Sequence, residues 1–259
     1  MATDPASRAA LKLGKKPARA GAVRLRLADY LDAAALPPLP PVFGHESLIA
    51  PRAWGMFGND RYGDCVFAGA AHETMLLARE AGNSVVFSEA AVLSDYAAVT
   101  GFDPGEPASD QGTDVQQAAS YRRRTGILDA AGKRHCIAAY LALEPANLTH
   151  IYLAAYLFGA VGVGLELPSS AIDQFRRGKP WTVVAGSPDE GGHYVPIVGR
   201  RAAGLDIVTW GAVQVMTEDF LHRYCDEAVA YVSQECLVDQ KSPEGFGYAD
   251  LIADLAALA

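Results

Sequence analysis

Residues Cys65 to Arg79 read Cys-Val-Phe-Ala-Gly-Ala-Ala-His-Glu-Thr-Met-Leu-Leu-Ala-Arg, apolar nearly all the way round a helix. A helix with almost no polar face has no side to give to solvent, so it must run through the middle of its domain with other elements packed around it. Gly82 is its expected stop. A chain of 259 residues, 50% hydrophobic and 20% charged, is large enough to enclose such a helix and is not a disordered composition.

The rest of the pattern arranges itself around that helix. Ser88 caps a predicted helix over Glu89 to Val99, a loop Gly101 to Gly112 follows, and a third helix is expected near Asp114 to Arg124. Asn147 caps a helix running through Phe158, Gly159 stops it, and Val161 to Leu167 alternates as a strand. Further strands are expected at Trp181 to Ala185, His193 to Gly199, Leu205 to Trp210 and Ala228 to Ser233, with a helix at Thr217 to Tyr224. Helices first and strands afterwards is an α+β order. The expected division is an arm over 1–53, a helical lobe over about 54–145, a strand-rich lobe over about 146–235, and a tail over 236–259 with a short helix.

The formal charge of −8 is unevenly spread: residues 1–26 carry +6, leaving −14 on the remainder. The arm lacks interleaved aromatics and any nucleic-acid motif, so nucleic acid is not its expected partner. It reads instead as a strap across the acidic body, tied down near Phe43 and Trp54, with its first 20 residues mobile or awaiting a protein partner, and serving assembly or stability. The longest apolar run, Ile151 to Leu165, is broken by Gly159, Gly162 and Gly164 and is shorter than the roughly 20 residues of a membrane helix. The four cysteines, with no CxxC, and six scattered histidines, with no HExxH, give neither a disulfide framework nor a metal signature. No metal or cofactor is expected, and reduced thiols without a secretory signal point to the cytoplasm.

Two residues stand where chemistry needs them. Cys65 opens the central helix directly after Gly63-Asp64, where helix N–H groups favour a thiolate and can hold an oxyanion. His72 lies two turns further on, roughly 10 Å away, too far to be its base. His193 is the better candidate, because Gly191 and Gly192 allow its chain a close approach to a neighbour and a strand then holds its ring.

Asn59-Asp-Arg-Tyr-Gly-Asp-Cys65-Val-Phe-Ala resembles the papain-type cysteine peptidase signature, in which a Gln six residues before the nucleophile donates to the oxyanion; Asn59 stands in that place with the same amide one methylene shorter. His193 follows 128 residues after Cys65, Gly191-Gly-His-Tyr-Val-Pro-Ile-Val-Gly199 is similar to the family's histidine strand, and Thr209-Trp-Gly211 to the Trp-Gly beyond its orienting Asn. The resemblance implies a two-lobed papain-like fold, helical N-terminal lobe and antiparallel β-rich C-terminal lobe. It implies a thiol hydrolase of peptide or isopeptide bonds, with Cys65 as nucleophile, His193 as base, Asn59 as oxyanion donor, Gln111 and Gly112 along the substrate cleft, and a peptide or protein as substrate. The orienting Asn is replaced, leaving Thr209, Asp206 or no residue to orient His193. The other reading is a non-catalytic binding or structural protein on the same fold, docked through its arm in a larger assembly.

Overall fold

The computed structural model describes residues 11–30 and 38–233, so the tail over 236–259, Cys236 and the start of the proline run lie outside the described residues. The predicted central helix is α1, Cys65–Glu80, with its residues buried from Cys65 through Ala78. Helices α2, Glu89–Thr100, and α3, Val115–Arg124, flank it, and each begins where its cap residue stands: Ser88 Oγ accepts from Ala91 N–H and Asp114 from Gln117 N–H. Helix α4, Leu148–Phe158, is capped by Asn147 and ends at Gly159, whose φ of 78° lies in the left-handed region.

The strands are β1, Phe43–Gly44; β2, Ile127–Leu128; β3, Arg134–His135; β4, Ile137–Leu143; β5, Val161–Pro168; β6, Asp189–Arg201; β7, Gly204–Thr209; β8, Ala212–Met216; and β9, Cys225–Ser233. Among the described residues they form a small β2–β3 hairpin and one seven-stranded antiparallel sheet of order β4-β9-β5-β6-β7-β8, with β1 added to β6. Two shorter helices, α5, Ser169–Arg176, and α6, Glu218–Tyr224, complete an α+β fold. Strand β9 shows why the sheet lies in the middle: Ala228, Ala230 and Val232 face one apolar cluster with α4, while Val229 and Tyr231 face the other with α1.

Three sequence expectations differ. Trp181 to Ala185 makes only a single bridge, Trp181 to Met216 of the edge strand β8, and leaves Val183 and Val184 exposed. Ala22 to Leu27, whose alternating sequence predicts a short strand, likewise bridges only through Arg26 to Ala142. Strand β4 was not anticipated; it pairs along its length with β9 and so contributes to the large sheet ahead of α4.

The two halves are locked by a polar knot inside α1. Glu73, 1% exposed, accepts from Arg122 of α3 at 2.6 Å and from the Tyr194 hydroxyl of β6 at 2.7 Å. The Arg122 guanidinium lies 4.1 Å over the Tyr231 ring of β9. A buried carboxylate survives only when so completely partnered. The consequence is positional: the knot fixes α1, which carries Cys65, against β6, which carries His193.

Candidate active site

Cys65 is the first residue of α1 and 1% exposed. Its N–H is among the first-turn donors that no intrahelical carbonyl satisfies. The loop before it is held from below: His72 Nε2 lies 3.0 Å from the Gly55 carbonyl, and its ring packs on Phe57 at 5.2 Å and Trp54 at 5.7 Å. Burial depresses His72 to about 4, so it serves as a neutral peg for the loop that carries Asn59. Asn59 is 3% exposed and its amide donates to the Tyr62 carbonyl at 3.4 Å. Asp64, immediately before Cys65, is fully buried; burial pushes its carboxyl well above the ordinary range, with a backbone hydrogen bond and the Asn59 amide pulling it partway back.

His193 lies on β6, opposite Leu165 of β5, and is also fully buried. Its Nε2 is 2.8 Å from Thr209 Oγ1 at the end of β7, whereas Asp206 is bound to Arg201. With the proton on Nε2, the ring donates to Thr209 and keeps Nδ1, buried without a hydrogen-bond partner among the described residues, as its free acceptor. Trp210 stacks on the imidazole at 4.6 Å and 18°, and Trp181 closes on its edge at 6.5 Å. That stacking explains an unusual backbone. The β7–β8 hairpin turns on Trp210-Gly211 with φ of 45° and 71°, a turn that favours Asn-Gly. Placing a Trp there costs on the order of 1–3 kcal/mol.

The cleft between α1 and β6 is filled, and the occupant is the chain's own arm. Residues Leu13 to Lys16 cross it extended: Lys15 N–H donates to the Gly192 carbonyl at 2.9 Å, Lys16 N–H to the Thr113 carbonyl at 2.9 Å, and Thr113 N–H to the Gly14 carbonyl at 2.7 Å. Gly14 passes so near Gly63 that a Cβ on it would stand 1.9 Å from the Gly63 carbonyl oxygen. Further along, Arg19 Nη2 reaches Asp114 at 2.9 Å and Gln116 at 2.8 Å. The expectation of a mobile first segment is therefore corrected for residues 11–20, and the strap enters the cleft instead of lying elsewhere on the body. Charge attraction and backbone pairing together hold it there. The tie near Phe43 is present as well, with Phe43 packed on Tyr156 at 5.5 Å and β1 paired to β6.

Under this cover both candidate chemical groups are neutral at pH 7. Burial pushes the Cys65 thiol up to about 12, against backbone hydrogen bonds from Tyr194 and Gly14, and burial depresses His193 to about 3.

Comparison with solved structures interprets this frame. The chain superposes on xylellain, a cysteine protease from Xylella fastidiosa, with TM-score 0.66 at 14% identity, covering 87% of this chain and 97% of the other. The fold is papain-like. Procathepsin B S9 from Trypanosoma congolense matches with TM-score 0.63 at 13% identity over 86% of each chain. The digestive procathepsin L 3 of Tenebrio molitor larval midgut matches with TM-score 0.58 at 16% identity, over 83% of this chain and 76% of that one. No family sequence model matches, and no curated protein matches by sequence.

On this papain-like frame the predicted residues divide into two groups. Cys65 and Gly112 border the arm, Gly112 lying against Gly14; Asn59 is on the loop before Cys65 and His193 on the strand that binds Lys15 through Gly192, with no hydrogen bond between His193 Nδ1 and Cys65 Sγ. Gln111 does not join them: it is exposed and its amide donates to the Ala108 carbonyl at 2.7 Å. Thr113 makes two of the three cleft hydrogen bonds and was missed, because nothing about a lone Thr before a helix cap marks it in sequence. Lys15 was seen only as part of a charge run. Among the described residues no group of His, Cys, Asp and Glu is arranged to hold a metal, and no helix is long and apolar enough to cross a membrane.

Proposed function

We propose that this chain is a papain-like thiol hydrolase of peptide or isopeptide bonds, with Cys65 as nucleophile, His193 as general base and acid, and Asn59 with the Cys65 N–H as oxyanion donors. One observation carries the reading: an extended peptide segment, Leu13 to Lys16, already lies across the N-terminus of α1, hydrogen-bonded to Thr113 on one wall and Gly192 on the other. A cleft that binds its own backbone in this manner has the hydrogen-bonding edges a peptide substrate needs. In the reaction, His193 Nδ1 takes the thiol proton, the sulfur attacks the carbonyl carbon, and the imidazolium returns the proton to the departing amine. Water then cleaves the thioester, again through His193. The arm holds the resting chain closed, which agrees with the neutral state of both groups.

The test uses the full chain with a specific protease site placed at the exposed Ala20-Gly21 turn, cut after folding so that residues 1–20 can leave. The cut chain should cleave a peptide library, read by mass spectrometry, and its Cys65→Ala counterpart should not. Absence of Cys65-dependent products from pH 5 to 8, together with no preferential alkylation of Cys65, would favour the non-catalytic binding protein.

A further inference from the structure

Among the described residues, Lys15 is the most fully buried cation of the arm, 4% exposed overall, with its side chain wholly covered. Its ammonium donates to Asp226 Oδ2 at 2.6 Å and to the Lys16 carbonyl at 2.9 Å, and lies 3.5 Å from Glu227 and 3.8 Å from Glu166. Two of these carboxylates come from the start of β9 and one from β5, so the pocket is built by the sheet and not by the arm. Its floor is Gly164: a Cβ there would stand 2.4 Å from Lys15 Cε. The pocket is therefore cut to the length of a four-carbon stem. Burial raises Glu227 to about 7 and holds Glu166 above its ordinary range, while the Lys15 ammonium pulls both back down, so a cation in the pocket favours their charged forms. Asp226 Oδ1 is buried without a hydrogen-bond partner among the described residues. An empty pocket of this kind is costly, and a cation relieves it.

We propose that the pocket of Glu166, Asp226, Glu227 and Gly164 is a recognition subsite for a lysine or arginine side chain of the bound peptide, occupied in the resting chain by Lys15. The substrate half of this inference rests on the hydrolase reading; the recognition half does not. Lys15 hydrogen-bonds through its N–H to Gly192, immediately before His193, so the residue seated in the pocket lies within a residue or two of the reacting bond. Substrates are then peptides with a basic residue at that place, and neutral or acidic residues there are rejected. The arm competes for the same pocket with the same chemistry.

Binding is measured first, on the arm-cut full chain carrying Cys65→Ala so that nothing turns over. The probes are synthetic peptides of residues 11–19 with lysine, norleucine or glutamate at position 15. The lysine peptide is expected to bind at least tenfold more tightly than norleucine, with glutamate weaker still, and Asp226→Asn with Glu227→Gln should abolish the difference. Equal binding of lysine and norleucine peptides overturns the proposal, whatever the enzyme does. Hydrolysis is measured second, on arm-cut chain with Cys65 intact and fluorogenic peptides differing at the corresponding residue. A tenfold or greater preference for Lys or Arg supports the substrate class, and Cys65-dependent cleavage without preference overturns it while leaving the hydrolase standing. Lysine-selective binding with no cleavage of any peptide instead removes the hydrolase reading and keeps the pocket.

Discussion

Gly192→Ala should separate the arm from the body of the protein. Gly192 pairs with Glu166 in the sheet and has a φ outside the left-handed region, so its backbone tolerates alanine. What does not tolerate it is the arm, since the new Cβ would stand 2.0 Å from the Lys15 carbonyl oxygen. The arm must retreat by more than an ångström, which breaks the Lys15–Gly192 hydrogen bond and strains the two to Thr113. Three such bonds at about 1 kcal/mol each come to about 3 kcal/mol, a shift of roughly 10²-fold toward the open state. Hydrogen exchange read by mass spectrometry should show protection over residues 11–19 falling by that factor, with Thr113 following. Alkylation of Cys65 by iodoacetamide should accelerate at least tenfold as the cover leaves. Peptide hydrolysis should nevertheless fall, because a substrate backbone meets the same methyl group. Unchanged arm protection in a variant whose Tm has not moved would refute the argument that this contact seats the arm.

Three further outcomes are expected. Glu73→Ala leaves Arg122 buried and unpaired and should cost about 3–5 kcal/mol in urea unfolding, whereas a loss under 1 kcal/mol would mean the knot does not bind the two halves. Thr209→Val removes the partner of His193 Nε2 with little change in shape; in arm-cut chain kcat should drop about tenfold and its pH profile should shift, while Tm stays within a few degrees, and an unchanged profile would deny Thr209 an orienting role. Asp64 keeps its proton in the folded chain above the unfolded value of about 3.9, so the folded state binds more protons and stability falls as pH rises, by about 1.4 kcal/mol per unit until the raised folded pKa is reached. Asp64→Asn should flatten that slope between pH 4.5 and 6, and parallel slopes for both proteins would show that the carboxyl is ionised.

The Cys65 helix, the capped starts of later helices and the His193 strand were legible in the sequence because their signals are local. An all-round apolar run can only be a buried helix, Ser88, Asp114, Asn147 and Thr217 each cap the turn that follows them, and paired glycines announce a close approach. The α+β order follows from those local periods, and the papain-like fold was implied by the resemblance of the segments around Cys65 and His193 to a known family. What no local signal carries is which distant groups meet. Strand β4 needed β9 as a partner 90 or so residues away, Trp181 to Ala185 meets the edge strand β8 through Trp181 alone, and Thr209, not Asp206, met the imidazole because a hairpin turn set the strand ends. The arm shows the same division most sharply. Its positive charge was plain in the sequence, but the three carboxylates that receive Lys15 are contributed by β5 and β9 more than 150 residues downstream. Charge in a sequence states what kind of group a segment wants; only packing of the sheet against α1 decides where that group is found.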